Sequence, residues 1–168
     1  MRNLLVIISL TISVTAVAQI TYPQKKDKSV IRVNEFYSGC GKIFSDNKHY
    51  LVQSNAKSVT PTEEDILQAE RLMNEKFSDL VKSDETLKTL QGKTYKDEYY
   101  KFYRQYVEVI DNEGHRIVLI NYIKCCKRRI KKCFPDWKKE LCTPLDEDPC
   151  TATISYSVNL SQQTISVY

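Results

Sequence analysis

The sequence predicts an α+β domain in which one long helix packs on an antiparallel meander of about four strands. Three observations lead there. A capped stripe of apolar residues runs through 60–81 at helical spacing, the period shortens to two after residue 98, and the last stretch alternates cleanly.

The chain of 168 residues opens with a targeting segment. Arg2 and Asn3 precede an apolar run from Leu4 to Val14, and Ala16-Val17-Ala18 supplies the small residues of a cleavage site before Gln19. The run falls short of the roughly 20 apolar residues that span a bilayer. Residues 1–18 are therefore expected to be a signal peptide cleaved after Ala18, giving a secreted or periplasmic protein without a transmembrane anchor. Residues 19–29 read as a flexible lead-in, and 30–168 as a single domain.

Val30 to Phe36 alternates weakly and reads as a first strand, SGCGK at 38–42 as a turn, and 49–53 as a short extended piece. Thr60-Pro61-Thr62-Glu63 has the form of a capping box with proline at the first helical position. Glu63, Glu64 and Asp65 then place negative charge at the positive end of the helix dipole. Ile66, Ala69, Met73, Phe77 and Leu80 recur on one helical face, widened by Leu67 and Leu72, and the helix is expected to end near Val81. Residues 83–97 read as a short helix or loop.

Tyr99 to Ile110 and Arg116 to Cys126 are rich in tyrosine, valine and isoleucine and flank the hairpin-turn residues Asp111 to Gly114. Pairing Ile110 with His115 puts Tyr103, Val107 and Val109 beside Val118, Ile120 and Tyr122, the face expected to meet the helix. Arg104, Glu108 and Asn121 would lie opposite. Ala152, Ile154, Tyr156, Val158 and Leu160 form one dry face of the next strand, and Thr164 to Tyr168 a last one with Ile165 and Val167 inward.

Four of the six cysteines and eight of the 25 basic side chains crowd into YIKCCKRRIKKCFPDWKKELC at 122–142. No cysteine pair there has the spacing of a zinc knuckle, so neither a metal nor a cofactor is expected. In an oxidising compartment Cys40, Cys125, Cys126, Cys133, Cys142 and Cys150 are disulfide candidates. Neighbours on a strand point to opposite faces, so Cys125 and Cys126 need different partners. Cys133 with Cys142 would staple the connection, closing a loop of roughly ten residues worth about 3 kcal/mol in the loop-entropy account. Cys150 would take one of Cys125 and Cys126, and Cys40 the other. Lys127, Arg128, Arg129, Lys131 and Lys132 are the candidate contact for an anionic partner, an acidic glycan or anionic surface, or for a protein. Nucleic acid is not expected, because aromatic interleaving is limited to Phe134 and Trp137 and Asp146-Glu147-Asp148 follows at once. The formal charge of +4 falls only to +3 when Arg2 is removed. Zincin, nucleophile-elbow, Walker and dinucleotide motifs do not occur in the sequence, which reads as a non-enzymatic exported binding or interaction domain.

A long helix followed by a meander resembles the cystatin-like two-layer fold. The segments KFYRQYVEVIDNEGHRIVLINY at 101–122 and ATISYSVNL at 152–160 also resemble small exported bacterial proteins of uncharacterised function. Cystatins block cysteine proteases with a Q-x-V-x-G hairpin and a later tryptophan loop. The resemblance thus implies an alternative role as such an inhibitor, acting through Gln105, Val107 and Trp137. The match departs where Val109 replaces the glycine and where Gln105 to Val109 lie inside a strand rather than at a turn.

Overall fold

The computed structural model describes residues 19–23, 28–33, 35–36, 40–44, 56–124, 136–139 and 152–167. It is an α+β structure with one main helix, α1 (Glu63–Ser83), against a mostly antiparallel sheet. Among the described residues the sheet has eight strands rather than about four. They are β1 (Ile20–Thr21), β2 (Val30–Val33), β3 (Gly41–Ile43), β4 (Lys57–Val59), β5 (Tyr103–Ile110), β6 (Arg116–Lys124), β7 (Ala152–Asn159) and β8 (Thr164–Val167).

The expected meander is β5 to β8. The additional strands come from the N-terminal third, where three of them are only two or three residues long and too short to show alternation. Gly41 and Lys42, expected in a turn, belong to β3, which pairs in parallel with β5 at Arg104–Tyr106. β4 then pairs antiparallel with the rest of the same edge, at Glu108–Ile110. Ile20 and Thr21, expected in the lead-in, pair with β2. The extended piece expected at 49–53 lies outside the described residues.

α1 starts two residues later than its sequence signature suggests. Thr62, not Thr60, is the N-cap; its hydroxyl accepts from the Asp65 backbone N–H and the Asp65 carboxylate accepts from the Thr62 N–H. Both sites have a threonine followed three residues later by an acid, and Asp65 wins because it also meets Arg116. Ile66, Ala69, Met73 and Phe77 are buried as the stripe predicts, with Val81, and each large side chain contributes about 2 kcal/mol of burial. A 3-10 helix (Glu85–Leu90) and α2 (Tyr95–Tyr99) follow; α2 repeats the capping box with Thr94 and Asp97.

The β5–β6 pairing is offset by one residue from the expected register. Ile110 pairs with Arg116, and the Asp111 N–H donates to the His115 carbonyl at 3.0 Å. Gly114 at φ +84° closes the turn, while Asp111 Oδ1 accepts from the N–H groups of Glu113 and His115 at 2.9 and 2.8 Å. This is a three-residue hairpin with glycine in the left-handed position. A shift of one residue turns over a whole strand. Val118, Ile120 and Tyr122 still join the core under α1, but their β5 neighbours there are Arg104, Tyr106 and Glu108. Val107 is buried instead on the outer face with Phe44 and Leu119. On β7 and β8 the expected parity holds, with Ile154, Tyr156, Val158, Leu160, Ile165 and Val167 in or against the core.

An added Cβ at Gly114 meets nothing within 4 Å, so only backbone conformation opposes substitution. Gly114→Ala should therefore lower stability in urea by about 1 kcal/mol, and Gly114→Asn by less, because asparagine tolerates this region. Unchanged stability of the alanine variant would refute the turn.

Candidate functional site

Placing Arg104 under the helix assembles a polar centre in the middle of the core. Glu70 and Arg104 are both fully buried, with Arg104 Nε 2.9 Å from Glu70 Oε1. That contact is an ion pair whose N–H does not aim along the line of a hydrogen bond. The remaining geometry compensates. Tyr106 donates to Glu70 Oε1 at 2.8 Å and Tyr95 to Glu70 Oε2 at 2.5 Å. Arg104 donates to the Phe102 carbonyl at 3.1 Å and to the Tyr95 hydroxyl at 3.2 Å. With its own proton committed to Glu70, the Tyr95 oxygen has room for one more donor, and Tyr122 fills it at 2.7 Å. The guanidinium carbon also sits 5.0 Å from the Tyr122 ring centre. Around this packs an edge-on lattice of Phe77, Tyr95, Tyr99, Tyr122 and Tyr156, with a second hydroxyl pair between Tyr99 and Tyr156 at 2.7 Å.

Burial first, then the neighbouring Tyr95 and Glu70, hold the Tyr122 phenol well above its ordinary range; burial also raises Tyr95, against the pull of Arg104. Burial alone would lower Arg104, yet Glu70 and the surrounding phenols outweigh it and the cation is strengthened. Arg104 is thus held as the cation and Tyr95 and Tyr122 as neutral phenols. Such a centre is poorly suited to moving protons and well suited to fixing the helix on the sheet.

A smaller assembly sits at the start of α1. Arg116 Nη2 donates to Asp65 Oδ2 at 2.6 Å and Arg116 Nε to Glu108 Oε1 at 2.7 Å. Glu108 Oε2 is buried and has no hydrogen-bond partner among the described residues. Burial pushes the Glu108 carboxyl up, Asp65 adds to this, and Arg116 opposes it.

The outer face carries a ladder across three strands: Ser155 donates to Asn121 at 3.1 Å, Asn121 to Gln105 at 2.8 Å, and Gln105 to the Trp137 carbonyl at 2.6 Å. The Trp137 ring packs edge-on to Tyr103, centroids 5.3 Å apart. The structure thus brings Gln105, Val107 and Trp137 to one face, but Gln105 and Val107 are fully buried and Trp137 is 6% exposed. Lys127, Arg128, Arg129, Lys131 and Lys132 lie outside the described residues, as do Cys125, Cys126, Cys133, Cys142 and Cys150. Cys40 is described as a free thiol, half-buried, with Arg32 Nη2 3.9 Å from its sulfur.

Between α1 and the turn leading into α2 runs a half-open groove of about 700 Å³, floored by Phe77, Val81 and Tyr95 and rimmed by Lys82 and Lys93. Both lysines are paired, Lys82 with Asp79 at 3.3 Å and Lys93 with Glu98 at 2.6 Å. Among the described residues no cluster of three or more histidine, cysteine or acidic side chains could hold a metal ion, and no helix is long and apolar enough to cross a membrane.

Sequence reasoning missed Glu70, although the signal is present. It stands four residues after Ile66 and three before Met73, on the stripe itself, where an acid needs a buried partner. Arg104, two residues before Tyr106 on the same strand face, is that partner.

Comparison with protein-family models, with curated proteins and with solved structures returned no match to this chain.

Two outcomes follow. Glu70→Leu should cost about 3–5 kcal/mol by stranding the Arg104 charge, and adding Arg104→Met should restore most of it; strict additivity in urea titrations would overturn the coupling. The raised Tyr95, Tyr122 and Tyr156 phenols, the last pushed up to about 12, are neutral when folded. Their stabilisation is therefore complete below about pH 10, the ordinary phenol value, and is lost as pH rises through the folded values. Stability measured from pH 8 to 12 should be level at first and then fall.

Proposed function

We propose that this chain is an exported, non-enzymatic binding domain whose basic, cysteine-rich connection contacts an acidic glycan. The observation that carries the reading is the placement of that connection's two anchors. Lys124 closes β6, where Ile123 lies opposite Tyr103 of β5, and Trp137 packs on that same Tyr103. The chain between them holds Lys127, Arg128, Arg129, Lys131 and Lys132 and a single acidic residue, Asp136, next to Trp137 itself; both of its ends are fixed at one end of the sheet. Five cations within six residues of sequence favour a polyanion through summed attraction rather than one strong contact. The commitment of Glu70, Arg104 and the buried tyrosines to one another supports a structural role for them.

The alternative, a cystatin-like inhibitor using Gln105, Val107 and Trp137, requires side chains now buried in and against the sheet to reach a protease cleft. Their burial weighs against it.

Retention on immobilised heparin tests the proposal. The exported protein should bind at low salt and elute over a narrow salt range, and a variant carrying Arg128→Glu and Lys132→Glu should elute at clearly lower salt. Absent binding, or retention indifferent to salt and to both substitutions, would remove the claim.

A further inference from the structure

We propose that Gln19, once exposed as the first residue of the exported chain, is a modification site that closes to an N-terminal pyroglutamate. The inference rests on the exported reading above and adds to it. Ala16-Val17-Ala18 ends at the residue before Gln19, so cleavage there leaves glutamine carrying the α-amine. Glutamine is the residue whose side-chain carboxamide reaches its own amine to form an unstrained five-membered ring. The amine nitrogen attacks the carboxamide carbon, a new C–N bond forms, and the side-chain nitrogen leaves as ammonia with the proton that the amine gives up. No oxidant or cofactor enters the balance.

The fold supplies both the freedom and the reason. Gln19 is exposed and stands one residue outside the β1–β2 pairing, whose register begins with Ile20 opposite Val33. Among the described residues the ladder gives Gln19 no paired residue. Immediately afterwards the chain is committed: Ile20 and Tyr22 pack against the core, and the Tyr22 hydroxyl bonds the Glu63 carboxylate at the start of α1. The exported chain therefore has no spare tail. An aminopeptidase that removed Gln19 would next take Ile20 and, with it, half of a two-residue strand. A lactam offers no free amine for that trimming to begin.

The exported protein, held for several days at neutral pH and digested, tests this by mass spectrometry of its N-terminal peptide. The expected peptide begins at residue 19 and is lighter by one ammonia, and the intact chain resists a nonspecific aminopeptidase. A Gln19→Ser variant should instead be trimmed past Ile20. A Gln19 that keeps its free amine would overturn this inference while leaving export intact. An N-terminus elsewhere would overturn the inference together with the cleavage site on which the exported reading depends.

Discussion

The buried Glu70–Arg104 pair is the constraint on which the rest of the structure depends. Two opposite charges removed from water are tolerated only if nearly every lone pair and proton finds a partner. Here the partners come from four places: Tyr95 from α2, Tyr106 from β5, Tyr122 from β6, and the Phe102 carbonyl just ahead of β5. One residue of slip between β5 and β6 would carry Arg104 to the outer face and leave Glu70 stranded. Hydrophobic burial would tolerate many rotations of α1 on the sheet; the pair tolerates one. The network thus selects a register and a helix orientation more than it adds stability.

That constraint also explains what was legible in the sequence. The long helix, the β7 alternation and the inward faces of β6 and β8 follow from local periodicity, and each stands where the periodicity puts it. The β5 face could not be read that way, because polarity pointed Arg104 and Glu108 outward while the turn chemistry of Asp111 and Gly114 turned them in. Both readings of the strand bury valines, since β5 is covered on both sides. Only a charge partner distinguishes them, and that partner sits some thirty residues away on a helix. β3 and β4 were hidden for a related reason: three residues each, they are strands only through their partners, β2 and β5 for the first and β5 for the second.

The candidate site divides the same way. The cationic segment was legible as composition, whereas the face on which its second anchor rests was not, because the Gln105–Asn121–Ser155 ladder exists only once three strands are in register. Amides and a hydroxyl on a buried sheet face satisfy one another and then leave one donor, the Gln105 amide, for a backbone carbonyl arriving from elsewhere in the chain.

The dock formed by that carbonyl holds the chain's single tryptophan. Trp137 lies on the outer face against Tyr103, whereas Tyr95, Tyr99, Tyr106, Tyr122 and Tyr156 are gathered beneath the helix. Indole and phenol absorb and emit differently, so the two faces of one sheet carry separate optical labels supplied by the native sequence. Indole fluorescence follows attachment of the cysteine-rich connection, while ultraviolet absorbance of ionising phenols follows the opening of the helix–sheet interface. A chain built in this way distinguishes, without any added dye, the peeling of its outer layer from the melting of its core.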